Sequence, residues 1–152
     1  MASEEILIMN NAGNVLFYYT PDKTESQSKQ LLIASFLGAI QQFAKTMEHG
    51  TCSFFNLSKR KIAIRTAQKF PISYALLFDN NSKIARKPKK LVELMDIIQS
   101  AFEKHYDEQT VCSWNGDANA FIDFKEVLEQ SSRNKIKEFF DSTPKTINVH
   151  NS

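Results

Sequence analysis

The sequence predicts an α+β fold in which five strands form one sheet and three helices pack on it. Three observations predict this class: strand-like and helix-like patterns follow a definite order, short polar turns join two pairs of strands, and two runs are apolar at consecutive positions. The predicted order is β-β-α-β-β-β-α-α. A chain of 152 residues with 42% hydrophobic and 24% charged residues has the size and composition of one globular domain.

The first predicted strand covers residues 6–9, which are all apolar. Because the side chains of a strand alternate between its two faces, such a strand must be covered on both sides, and we expect it in the middle of the sheet. Residues 10–14 are Asn, Ala and Gly, which favour a turn. They predict a hairpin between this strand and a second one at residues 15–19.

A long helix is predicted over residues 26–48. Some 23 residues of helix reach roughly 35 Å, enough to cross a five-stranded sheet. Gly38 in its middle suggests a close backbone approach, which the helix's own sheet explains more simply than a partner does. The apolar stripe of the helix includes Leu32, Phe36, Ile40, Phe43 and Met47, at steps of three or four.

A second hairpin is predicted from two strands at residues 51–57 and 61–67, which flank a polar turn. Lys61 and Arg65 alternate with isoleucines in the later strand, so we expect it to be less buried than the first strand of the chain. Residues 72–78 again contain a run that is apolar on both faces, which places this strand beside the first one in the middle of the sheet.

Two helices are predicted after the last strand. Pro88 stands where the first turn of a helix accepts proline. A polar connection leads from this helix to residues 111–114, and a turn follows at residues 115–117. The apolar stripe of the helix is formed by Leu91, Met95, Ile98 and Phe102, with His105 or Tyr106 at its end.

The start of the last helix has a recognisable local pattern. Asp123 followed three residues later by Glu126 resembles a capping box, and Ile122 and Val127 occupy the positions of a hydrophobic staple. The packing residues of this helix are Phe124, Val127 and Leu128.

The helical pattern weakens after Gln130, although Ile136, Phe139 and Phe140 could extend it. Residues 1–140 are therefore predicted to form the domain, and residues 141–152 a loose tail.

Several classes of protein are excluded by what the chain contains. Four glycines cannot form a phosphate-binding loop or a dinucleotide fingerprint, and three histidines lack metal-ligand spacing, so we predict no cofactor and no metal. A net charge of +2 is too small to indicate a nucleic-acid-binding protein.

The expected location is the cytoplasm. Cys52 and Cys112 show no paired spacing, which favours a reducing compartment. The sequence contains neither a signal peptide nor an apolar run of about 18 residues, so any association with membranes is expected to be peripheral.

One nucleophile is worth considering. His105 is the histidine nearest to Cys112 in the sequence, and a cysteine enzyme needs such a base. An apolar cysteine beside a surface histidine is the simpler interpretation, and we predict that the chain is not an enzyme.

Five basic residues fall within eight positions, residues 83–90, at the entry of the helix predicted to start near Pro88. Positive charge opposes the dipole at a helix N-terminus, so helix stability does not explain it. Acidic lipid or an acidic protein surface could bind it, and a solvated loop is the ordinary alternative. The cluster consists of Lys83, Arg86, Lys87, Lys89 and Lys90.

The order of elements, with the segment at residues 120–124 that opens the last helix, resembles the longin-domain family. The similarity covers about residues 4–135. In the longin domains of vesicle SNAREs this helix opens with an aromatic residue, an apolar or polar residue, and an acidic residue beside Phe. Phe121, Ile122, Asp123 and Phe124 match that pattern. The same fold is found in adaptor small and medium chains, TRAPP subunits and the alpha subunit of the signal-recognition-particle receptor.

The resemblance implies a five-stranded antiparallel sheet with the first helix on one face and the other two on the opposite face. It also implies a non-catalytic role in membrane traffic, with small GTPases, SNARE segments or other longin or roadblock domains as partners, in a homo- or hetero-oligomer. The chain departs from the SNARE members because no heptad-patterned segment or membrane anchor follows the domain.

Longin domains often dock partners on the first helix and the edge of the neighbouring third strand. In this sequence that surface corresponds to Gly38 and its helix, and to Ser53, Phe54, Phe55 and Leu57. An unpaired strand edge offers backbone donors and acceptors to an added strand. Alternation along the strand sends one of the two Phe rings toward the core.

Overall fold

The computed structural model describes residues 4–21, 50–57, 60–117 and 119–142. The helix predicted over residues 26–48, including Gly38, lies outside the described residues, as do residues 143–152. The strands are β1 (Glu5–Asn10), β2 (Val15–Tyr19), β3 (Cys52–Leu57), β4 (Arg60–Thr66) and β5 (Ile72–Asp79). A 3₁₀ helix (Lys83–Arg86) is followed by α1 (Pro88–His105), α2 (Glu108–Cys112) and α3 (Phe124–Phe140).

The five strands form one antiparallel sheet in the order β2-β1-β5-β4-β3. β1 and β5 pair with each other and occupy the middle, as their apolar patterns predicted. Every residue of β5 from Ile72 to Phe78 is buried. The α+β class with a five-stranded antiparallel sheet is confirmed.

The turn between β1 and β2 shows why the predicted hairpin forms. Asn10 accepts hydrogen bonds through Oδ1 from the backbone N–H groups of Ala12 at 3.0 Å and Asn14 at 2.9 Å. Gly13 has a φ of 88°, a conformation that side chains with a Cβ rarely adopt. The turn residues therefore satisfy their own backbone groups.

The two faces of the sheet bury separate apolar clusters. One cluster joins Ile6, Ile8 and Tyr74 to the buried residues of α1 and α3. The other cluster lies on the opposite face, contains no residue of a helix that the structure describes, and consists of Leu7, Met9, Ile62, Ile64, Ala75 and Leu77. Both faces of the central strands are therefore buried.

Helices α1 and α3 pack side by side on the first face. Leu91, Met95, Ile98 and Phe102 of α1 are buried, as the stripe predicted. The ring of Phe102 lies 5.1 Å from the ring of Phe124, measured between centroids, and meets it edge to face. This contact fixes the end of α1 against the start of α3.

β4 is less buried than β1, as expected, because Arg60 and Lys61 are half-buried, but the alternation in burial ends after these two residues. All positions from Ile62 to Thr66 are buried, including Arg65, which is only 7% exposed. Arg65 can lie inside because Nη1 contacts Asp96 Oδ1 at 2.6 Å and Gln99 Oε1 at 3.1 Å, both on α1.

The last helix begins where the sequence predicted, but the capping box is wrong. Asp123 has helical backbone angles, φ −73° and ψ −11°, and its side chain makes no capping hydrogen bond. The staple is also absent, since Ile122 is 66% exposed. Instead, the carboxylate of Asp123 accepts a hydrogen bond from the hydroxyl of Tyr106 at 2.6 Å.

Helix α3 continues to Phe140, past the point where its pattern weakens. Ser132 interrupts it with non-helical angles, φ −160° and ψ 54°. Beyond this kink Ile136 and Phe139 are buried, so the second half also packs on the core. Ser142, just after the helix, is buried and donates through Oγ to the carbonyl of Phe139 at 2.7 Å.

Candidate functional site

Strand β3 forms one edge of the sheet. Its six residues pair with β4 from Cys52↔Arg65 to Leu57↔Arg60, and no other described strand pairs with it. Its sequence is Cys-Ser-Phe-Phe-Asn-Leu, without charge or proline. Charged residues and proline usually protect an edge strand from pairing with an added strand, and β3 contains neither.

The side chains of β3 divide between the two faces. Cys52 packs on the cluster beneath α1, and Phe55 packs on the opposite cluster. Phe54 therefore shares the α1 face with Cys52, and it is 43% exposed. The expectation that one of the two Phe rings points to the core is confirmed. Ser53 is half-buried on the face of Phe55, whereas for Leu57 only its place in the strand is described.

Arg65 connects β4, the strand that pairs with β3, to helix α1. Arg65 stands opposite Cys52 in the register and joins β4 to Asp96 and Gln99 of α1. Gln99 in turn donates to Glu103 Oε2 at 2.9 Å. Burial raises the pKa of the Cys52 thiol, while the positive charge of Arg65 opposes that shift. The end of β4 that pairs with Cys52 is thus held on α1.

The opposite face of the hairpin carries a buried ion pair. Glu5 of β1 is fully buried, and its carboxylate binds the guanidinium of Arg60 and the hydroxyl of Tyr18. Arg60 opens β4 directly opposite Leu57. This network links β2, β1 and β4, and thereby holds the Leu57–Arg60 end of the hairpin, where β3 leads into β4, to the centre of the sheet.

The predicted basic cluster lies on the 3₁₀ helix and the first turn of α1. Lys83, Arg86, Lys87 and Lys89 are exposed. Lys90 is half-buried and forms an ion pair with Glu138 Oε2 at 2.5 Å. The structure thus brings the five residues together and supplies an acidic partner on α3 that the sequence did not indicate.

A cavity of about 300 Å³ lies next to this cluster, between the 3₁₀ helix and the end of α3. Its walls carry charges of both signs. The backbone N–H of Lys83 donates to the carbonyl of Ser142 at 2.9 Å, which closes one side. The lining residues are Lys83, Ile84, Lys87, Glu138, Asp141 and Ser142.

The structure does not join the proposed nucleophile to its base. His105 Nε2 lies 3.0 Å from Asp123 Oδ2, and within the described residues no hydrogen bond connects His105 to Cys112. Cys112 is exposed at the end of α2, and His105 is 40% exposed. Aspartate and tyrosine, rather than the thiol, surround the histidine.

Sequence reasoning missed the residues that support the sites. Asp96 and Gln99 are three positions apart and therefore share one face of α1, which is a weak signal that they act together. Their partner Arg65 is 31 residues from Asp96, and Glu138 is 48 residues from Lys90. No local pattern indicates contacts over such separations.

The residues that the structure describes contain no group of three or more His, Cys, Asp or Glu side chains that could hold a metal ion. Among their helices, none has the length and apolar character needed to cross a membrane. In comparisons with known proteins, no family model matches the chain and no curated protein shows significant similarity to it.

Proposed function

We propose that the chain is a non-catalytic, longin-type interaction module that binds a protein partner along the outer edge of β3. One observation carries this proposal: Phe54 is 43% exposed on an uncharged edge strand that pairs, within the described residues, on one side only. Proteins that bind through such edges commonly accept an extended segment of the partner as an additional strand.

The chemistry of the edge suggests how affinity and selectivity arise. Backbone groups of β3 provide hydrogen bonds that any extended segment can satisfy, so they contribute little selectivity. Phe54 supplies an aromatic anchor, and covering its exposed part contributes about 1 kcal/mol. Because that amount is small, the partner must also pair along several residues of the strand.

The partner class follows from the resemblance rather than from the edge itself. A small GTPase, a SNARE segment or another longin or roadblock domain is expected, and the complex is the functional unit. A partner whose binding differs between GDP and a GTP analogue would be identified as a small GTPase.

The test compares Phe54→Asp with Ile122→Asp. Both changes place a carboxylate on an exposed apolar residue, but Ile122 lies before α3 and outside the edge. Each purified variant captures proteins from native lysate, with GDP or with a slowly hydrolysed GTP analogue, and mass measurement identifies the captured assembly.

We expect a companion of one of the three classes to bind the wild-type chain and Ile122→Asp, and to be at least tenfold depleted with Phe54→Asp. A required control is that both variants have the same unfolding temperature as the wild-type chain. The same companions in equal amounts with all three proteins would contradict the β3 edge as the docking surface.

A further inference from the structure

The five residues of the basic cluster differ in whether an acidic side chain neutralises their charge. We define the basic surface as Lys83, Arg86, Lys87, Lys89 and Lys90. Lys90 forms an ion pair with Glu138. The pKa of Glu138 is lowered mainly by its hydrogen bond with Lys90, and also by the charge of Lys87. Lys83, Arg86 and Lys89 form no ion pair with any described residue.

The local backbone directs these three free charges outward. In a 3₁₀ helix, residues three apart lie one above the other, so Lys83 and Arg86 share a side, while Ile84 between them is buried. On α1, Lys89 is two residues before buried Leu91, about 200° around the helix axis. Lys89 therefore faces away from the core.

We propose that the basic surface binds an anionic membrane surface. Polybasic segments attract acidic lipid through charge alone, without an apolar anchor. Protein interfaces, in contrast, usually depend on aromatic or apolar anchors at their centre. Among the described residues the exposed large apolar side chains are Phe54 and Ile122, and neither belongs to this surface.

The neighbouring cavity determines what kind of lipid recognition is possible. Glu138 and Asp141 line it and repel a phosphate group that would enter beside Lys83 and Lys87. Headgroups are therefore bound at the surface and not inside a pocket. It follows that binding depends on the charge density of the membrane and not on the identity of the headgroup.

The experiment measures sedimentation of the full chain with vesicles. One set contains neutral phosphatidylcholine alone, and two sets add phosphatidylserine or phosphatidylglycerol at the same charge density. The test variant is Lys83→Gln/Arg86→Gln/Lys89→Gln. The control is Lys69→Gln/Lys104→Gln/Lys125→Gln, which removes the same charge from exposed positions elsewhere.

We expect binding to both anionic vesicles with equal partition coefficients, and none to neutral vesicles. Each free basic residue contributes roughly fivefold, so the test variant should bind about a hundredfold more weakly, and the control less than tenfold more weakly. Binding should be lost at 1 M salt, where the Debye length falls to about 3 Å. Phe54→Asp should bind vesicles like the wild type, which separates this proposal from docking at β3.

Three outcomes would overturn the proposal. Equal losses in the two triple variants would show that net charge, and not this surface, attracts the membrane. A strong preference for one headgroup at equal charge would require a pocket. Binding to soluble polyglutamate or to nucleic acid, without binding to the anionic vesicles, would identify a different class of partner.

Discussion

Glu4 is a carboxyl side chain placed where water hardly reaches it. It is 1% exposed, and this burial raises its pKa to about 7. Its own backbone and the charge of Arg60 lower the pKa, whereas Asp79 raises it and Ser142 lowers it slightly. Near pH 7 the folded chain therefore holds Glu4 partly protonated.

This shift makes stability depend on pH. Between the ordinary value of 4.5 and about 7, the folded state binds more protons at Glu4 than the unfolded state does. The free energy of unfolding must then fall as the pH rises through that window. Glu4→Gln stays neutral, so we expect it to gain about 1–3 kcal/mol relative to the wild type between pH 4.5 and pH 8.

Urea unfolding at pH 4.5, 6 and 8 measures this difference. Glu126→Gln, at an exposed position of α3, serves as the control and should follow the wild type at each pH. A constant difference between Glu4→Gln and the wild type across the three values would show that Glu4 titrates normally in the folded state.

At the scale of elements, two aspartates show how far local patterns determine helix starts. Asp107 has extended backbone angles and accepts a hydrogen bond from the backbone N–H of Thr110 at 2.7 Å, so it caps α2. Asp123 fits the capping pattern better in sequence, yet its carboxylate binds Tyr106 and His105. A tertiary partner has replaced the local one.

The partner of Asp123 can be identified by double-mutant cycles. We expect Asp123→Ala and Tyr106→Phe to couple by about 0.5–1 kcal/mol in the free energy of unfolding, because each removes the same hydrogen bond. Asp123→Ala and Glu126→Ala should be additive, since no capping box joins them. Coupling to Glu126 and none to Tyr106 would restore the capping box.

The strands were more predictable than the residues that support them. Residues 6–9 and 72–78 are apolar on both faces, which required central positions whatever the connections were. Arg65 was expected to be exposed, because a charged residue that alternates with isoleucine is also typical of a strand with one face in solvent. Arg65 is buried because α1 packs beside it and supplies Asp96 and Gln99 as partners for its guanidinium, which no local pattern indicates.

At the scale of the whole molecule, the two candidate surfaces differ in how much the sequence revealed. Alternation alone predicted that one of Phe54 and Phe55 would be turned inward. The basic surface was visible as a cluster, but its partial neutralisation was not, because Glu138 approaches Lys90 only after α3 packs against α1. The β3 edge was thus predicted from the family resemblance and the basic surface from its charge cluster, whereas tertiary packing decides which of their side chains remain exposed.

A buried charge network joins β2, β1 and β4 within the sheet. Glu5 and Arg60 have side-chain exposures of 0% and 16%, whereas the Lys90–Glu138 pair is 42% and 44% exposed. Removing one partner of a buried pair leaves an uncompensated charge, which costs about 3–5 kcal/mol. An exposed pair contributes at most about 1 kcal/mol.

We therefore expect Arg60→Met to lower the free energy of unfolding by about 3–5 kcal/mol, and Lys90→Met by less than about 1 kcal/mol. The double variant Glu5→Leu/Arg60→Met should recover at least half of the loss, since it removes the buried carboxylate as well. Denaturant unfolding, followed by circular dichroism, measures all three. Equal small losses for Arg60→Met and Lys90→Met would mean that water reaches Glu5, and that the centre of the sheet does not depend on this pair.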